Sequence, residues 1–170
     1  MKTVAVSPEE RLRQLQIELP PPAIPLARYV PAVLSGNLLF ISGQLPLRDG
    51  SLLARGRLGA EVSLEEGVQA ARAAAINALA VARSALGSLD RITRIVRLVG
   101  HVAATPEFID HPRVVDGASE LLADLFGERG KHARVALGAV SLPLGAPVEL
   151  ELIMETGNPE PETRNQEPAL

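Results

Sequence analysis

Arg134 has the most suggestive surroundings of any polar residue in the chain. It opens the segment Arg134-Val135-Ala136-Leu137-Gly138-Ala139-Val140, where a two-residue period puts Arg134, Ala136, Gly138 and Val140 on one face of a strand. Alanine and glycine beside an arginine leave room around its guanidinium. That planar fork matches a carboxylate or phosphate and can hold either through two parallel charge-assisted hydrogen bonds. A strand-end ion pair would account for the same pattern, because most arginines sit at the surface. In the next segment Glu149, Glu151, Ile153 and Glu155 alternate with Val148, Leu150, Leu152 and Met154. A hairpin there would return Glu149 toward Arg134, where a carboxylate with an ordinary pKa of about 4.3 could orient a water. The alternation equally describes a strand with one solvated face. Ser42-Gly43-Gln44 closes an earlier apolar run: Gly43 permits close backbone approach to a ligand, and Ser42 and Gln44 offer polar side chains. A bulge at a strand exit is the alternative.

Other chemistries find little support. The chain has no cysteine, which removes disulfides, thiolate nucleophiles and zinc-thiolate sites together. Its three histidines, His101, His111 and His132, are not spaced as a ligand pair on a helix, so neither metal nor cofactor is expected. His101 and His132 could each act as a base, but nothing in the sequence assigns them. No serine has a nucleophile motif and no glycine-rich phosphate loop occurs. A net charge of −3 supplies no basic field for nucleic acid, and Tyr29, Phe40, Phe108 and Phe126 are too few for a base-stacking platform. No apolar run reaches membrane-spanning length. The amino-terminal residues lack the apolar stretch of a signal peptide, so the expected compartment is the cytoplasm.

The elements that must position these residues follow from periodicity and punctuation. Ser7-Pro8-Glu9-Glu10 reads as a helix start with a capping box, and the helix runs to about Leu19 before Pro20-Pro21-Pro22. Residues 1–22 form an appended arm, 23–156 the domain, and 157–170 a Pro- and Glu-rich tail expected to be mobile. Arg28 to Ile41 is β-like and is broken at hairpin spacing by Ser35-Gly36-Asn37; Asp49-Gly50 marks a second turn before a short Leu52-Leu53 strand. Ser63 and Glu66 form a capping box for a long helix that Gly87 ends. Its Leu64, Val68, Ala71, Ala75, Leu79, Ala82 and Leu86 share one face. Ile92 to Ala103 is a covered strand, Pro112 to Phe126 a second helix with Val114, Ala118, Leu121 and Leu125 inward, and two strands finish the domain. This order predicts an α+β fold, an antiparallel or mixed sheet with two main helices on one face. The other sheet face is too apolar for water, which predicts an oligomer.

Three segments together resemble the reactive-intermediate deaminase (RidA-like) family, which also carries the older label endoribonuclease L-PSP. They are Tyr29 through Gly36-Asn37-Leu38-Leu39-Phe40-Ile41-Ser42-Gly43-Gln44, then Pro106-Glu107-Phe108, then Ala133-Arg134-Val135-Ala136 through Leu142-Pro143 to Val148-Glu149-Leu150-Glu151. The resemblance implies a chorismate-mutase-like fold of the bacillary type and a homotrimer with a central barrel and intersubunit clefts. It also implies hydrolysis of 2-enamino or 2-imino acids, such as 2-aminoacrylate, to 2-keto acids and ammonia. By the same resemblance Arg134 holds the substrate carboxylate, Glu149 positions the water, Tyr29 lines the pocket, and backbone at Gly43 and Ala136 contacts the ligand. The sequence departs from the family pattern at Ala27-Arg28-Tyr29-Val30, at His132 and Ala136, and at Asp116, where many members have asparagine. An acid near a carboxylate pocket weakens anion binding unless it is paired or turned away. A non-catalytic trimer that binds small carboxylates is the alternative, and a ribonuclease is a third reading that the charge balance disfavours.

Overall fold

The computed structural model describes residues 6–22 and 28–157 of the 170-residue chain. Among the described residues seven strands and three α-helices follow in the order α1 (Pro8–Gln14), β1 (Ala32–Ser35), β2 (Leu38–Gln44), β3 (Leu47–Arg48), β4 (Ser51–Leu52), α2 (Leu64–Leu86), β5 (Ile92–Ala103), α3 (His111–Phe126), β6 (Ala133–Ala139) and β7 (Val148–Thr156). Five strands form one sheet in the order β1-β2-β7-β5-β6, with only β5 and β6 parallel; β3 and β4 make a separate hairpin around Asp49-Gly50. The mixed sheet arises because α3 crosses over between β5 and β6, whereas the other neighbours run antiparallel.

Helices α2 and α3 cover one sheet face. The capping box forms as expected: Ser63 Oγ accepts from the Glu66 N–H while the Glu66 carboxylate accepts from the Ser63 N–H. Gly87, at φ 84°, ends α2 in the left-handed conformation. Ala71, Ala74, Ala75 and Ala78 are fully buried, and their small side chains bring α2 close to β7 and β2. The helix pair is equally tight. A Cβ on Gly117 of α3 would collide with the Val68 carbonyl of α2, so no larger residue fits at that crossing. Leu39, Ile41, Leu98, Leu150, Leu152 and Met154 meet Val114, Leu121 and Leu122 in one apolar layer. Among the described residues no helix covers the opposite sheet face. There Val33 and Leu137 are each 51% exposed and Phe40 40%, around an open concavity of about 540 Å³.

Several local details differ from the sequence expectations. Helix α1 stops at Gln14, not Leu19, because Gln16 turns to φ 55° and the Ile17 N–H reaches back to the Leu12 carbonyl. Glu10 does not complete a capping box, since its carboxylate takes Arg13 and Gln14 instead. The short strand after Asp49-Gly50 is Ser51–Leu52, not Leu52-Leu53. The arm touches the domain: Leu12 is buried, Glu9 accepts from the Leu89 N–H, and its own N–H donates to Asp90. Of the carboxy-terminal tail only Gly157 falls within the described residues.

Candidate active site

The site residues divide between the two faces of the sheet. Arg134 pairs in register with Leu98 on β5, and Leu98, Gly100 and Val102 face the helices. Arg134 therefore lies under α3. Its Nη1 donates to Asp116 Oδ1 at 2.6 Å and to Ser119 Oγ at 3.1 Å. Asp116 and Ser119 stand three residues apart on α3, one helical turn, so both project toward the same strand. The Arg134 side chain is only 26% exposed, against 47% for Asp116. Ser119 Oγ lies 3.1 Å from His132 Nε2, and His132 Nδ1 lies 2.6 Å from the Gly130 carbonyl oxygen. A carbonyl can only accept, so Nδ1 carries a proton; with a neutral ring, Nε2 then accepts from the Ser119 hydroxyl. The chain from Gly130 through His132 and Ser119 fixes one edge of the guanidinium. Ala136, two residues along β6, packs against the core beside it.

Glu149 lies on the open face and at a different level. Its partner across the strands is His101, whereas Arg134 aligns with Leu98 and thence Leu152. The expected hairpin does not form: β5 is inserted between β6 and β7, so Glu149 does not return toward Arg134 within one chain. The parallel crossover through α3 is the physical reason. Glu149 is half-buried, and desolvation pushes its carboxyl above the ordinary range; nearby Glu151 adds to this and His101 opposes it. His101 Nε2 reaches Glu151 at 3.0 Å.

Gly43 backs onto that carboxylate, because a Cβ there would collide with Glu149 Oε1. The β2–β7 register shifts between Ile41 and Gln44, so Ser42-Gly43 forms a bulge that re-aims the strand beside Glu149. The Ser42 hydroxyl donates to the Val30 carbonyl at 2.8 Å, which ties the exposed Tyr29-Val30 segment to β2. Gln44 is turned inward, 7% exposed, with its amide on the Ser42 carbonyl. Gly43 and Glu149 thus meet on one face, with Ser42 beside them holding the Val30 carbonyl next to Tyr29, and Asp116, Arg134 and Ala136 lie together on the other. Ser119 and His132 joined the second group without being assigned from sequence. Their signal was present: His132 and Arg134 alternate onto one strand face, and Asp116 and Ser119 share a helix face. What sequence spacing could not supply was that α3 lies over β6. Among the described residues no group of three His, Asp or Glu side chains is placed to hold a metal ion, and no helix is long and apolar enough to cross a membrane.

Comparison with known proteins places this architecture. The family model described as "YjgF/chorismate_mutase-like, putative endoribonuclease" matches residues 9–155. Protein TCP17 of Trypanosoma cruzi is 43% identical over 148 residues, covering 86% of this chain and 92% of that one. The crystal structure of Atu1372 from Agrobacterium tumefaciens, a protein of unknown function, superposes with a TM-score of 0.83 at 43% identity, covering 88% of this chain and 92% of its own. A structure from Shewanella oneidensis, given the same endoribonuclease description, reaches a TM-score of 0.85 at 40% identity, covering 88% of this chain and 99% of its own.

Proposed function

Because the chain belongs to the YjgF/chorismate mutase-like family, the Rid-type group its sequence resembles, we propose that it hydrolyses reactive 2-enamino and 2-imino acids to 2-keto acids and ammonia. The observation that carries this reading is the pre-set guanidinium of Arg134, held under α3 with one edge fixed by Ser119 and Asp116. An imino acid is already electrophilic at C2, so catalysis needs orientation more than acid–base power. Arg134 holds the 2-carboxylate. Glu149 aims a water at C2, and its raised pKa makes it a better proton acceptor than an ordinary carboxylate.

Arg134 and Glu149 stand on opposite sheet faces with β5 between their strands, so a site that uses both needs two chains. The exposed apolar residues of the open face, Val33, Phe40 and Leu137, support association there. A homotrimer with a central barrel would bring the Arg134 group of one subunit to the Glu149 group of the next. No cofactor enters this scheme, and neither nucleic acid nor a membrane is a partner in it. A cytoplasmic location agrees with a metabolite substrate.

The test is ammonia and keto-acid release from freshly generated 2-aminoacrylate. Arg134→Ala should lower the rate by about 100-fold, as expected for loss of a charge-assisted clamp. Equal rates in the two proteins would end the claim. One observation favours a second reading, a carboxylate-binding trimer without turnover: Arg134 already has Asp116 as a partner. In that case 2-oxobutanoate binds, but Glu149→Gln changes no rate because there is none.

A further inference from the structure

Asp116 sits where a second carboxylate should repel the anion that Arg134 is proposed to hold. We infer that Asp116 and Arg134 act together as a two-headed receptor for a zwitterion, Arg134 taking the 2-carboxylate and Asp116 the cationic nitrogen on the adjacent carbon. This inference rests on the clamp assigned to Arg134 above and extends it to the substrate's nitrogen.

The geometry is suited to both charges. Only Asp116 Oδ1 and Arg134 Nη1 are joined, at 2.6 Å, and the second hydrogen of Nη1 goes to Ser119. Among the described residues, Asp116 Oδ2 and Arg134 Nε and Nη2 have no side-chain or backbone partner. With its side chain 47% exposed, Asp116 is open to a ligand. One ion pair therefore offers a carboxylate oxygen and guanidinium N–H groups not used elsewhere among the described residues, the two complements that a 2-amino or 2-imino acid needs for its nitrogen and its carboxylate. The His132-Ser119 chain holds this arrangement before any ligand arrives, so little ordering is left to binding.

Such a receptor separates substrate from product. In R–C(=NH2+)–COO− + H2O → R–CO–COO− + NH4+, water adds at C2 and its two protons pass to nitrogen, the C–N bond breaks as the C=O bond forms, and nitrogen departs as ammonium. Asp116 accepts an N–H of the iminium and keeps the proton on nitrogen, so C2 stays electrophilic while water adds. The keto acid that remains has no cation, faces Asp116 unpaired, and is released.

Calorimetric titration of the protein as purified, with L-2-aminobutanoate and with 2-oxobutanoate, tests this directly. Wild type should favour the amino acid. Asp116→Asn should weaken the amino acid about tenfold and tighten the keto acid, inverting the preference, while Asp116→Glu keeps the wild-type order. If Asp116→Asn leaves the ratio of the two affinities unchanged while Arg134→Ala abolishes binding of both, Asp116 has no such role and the clamp stands. If binding of neither ligand depends on Arg134, the inference and the clamp both fall.

Discussion

Arg134 is held at one edge, its Nη1 donating to Asp116 and to Ser119, with His132 behind Ser119, so its value as the proposed clamp lies in its shape as well as its charge. Arg134→Lys keeps the charge but loses the fork, and kcat/KM should fall by about 10- to 100-fold, with most of the loss in KM if the residue mainly binds. Glu149 makes a prediction of opposite sign for stability. Its carboxyl is raised in the folded state, so between 4.5 and that raised value the fold keeps a proton the unfolded chain has released. Stability therefore falls as pH rises through that window. Glu149→Gln should melt at a higher temperature than wild type above the window and match it below about pH 4, where both side chains are neutral. A melting series across pH that shows a constant difference would contradict the assigned cause. At this scale the strand positions of Arg134 and Glu149 were legible in sequence because alternation marks them, while the roles proposed for them came from the family resemblance. Ser119 and His132 were not, since their roles depend on which helix covers which strand.

The elements that set these positions are themselves set by small residues and caps. Gly117 lets α3 approach the Val68 carbonyl of α2, and the carbonyl is backbone that cannot swing aside. Gly117→Ala should destabilise the protein by about 1–3 kcal/mol through overpacking, read as a lower melting temperature. It should also weaken ligand binding, because Asp116 is its neighbour in the chain. A full-stability variant would mean the helices can separate at no cost. The two long helices, the caps of α2 and the Gly36-Asn37 hairpin were readable because each has a local cause. The end of α1 and the separation of β6 from β7 were not. The first turns on a left-handed Gln16 that no propensity announces; the second on a parallel crossover, which only tertiary packing decides.

The sheet presents two unlike faces, one closed by helices and one open, where Val33, Phe40 and Leu137 lie among Arg97, His101 and Glu151. If the proposed association uses the open face, a charge placed there should separate the subunits without unfolding them. Leu137→Asp is expected to reduce the mass in light scattering to that of a single chain, with the far-ultraviolet circular dichroism preserved. An unchanged mass would place association elsewhere. The same division of faces leads to the central claim, that catalysis combines Arg134 of one chain with Glu149 of another. Complementation tests it most directly: Arg134→Ala and Glu149→Gln, each inactive alone, are unfolded together, refolded as mixed oligomers and assayed for ammonia release. Random assembly leaves about one interface in four with both residues intact, so the mixture should regain roughly a quarter of the wild-type rate. A mixture as inactive as its two parents would contradict the shared site.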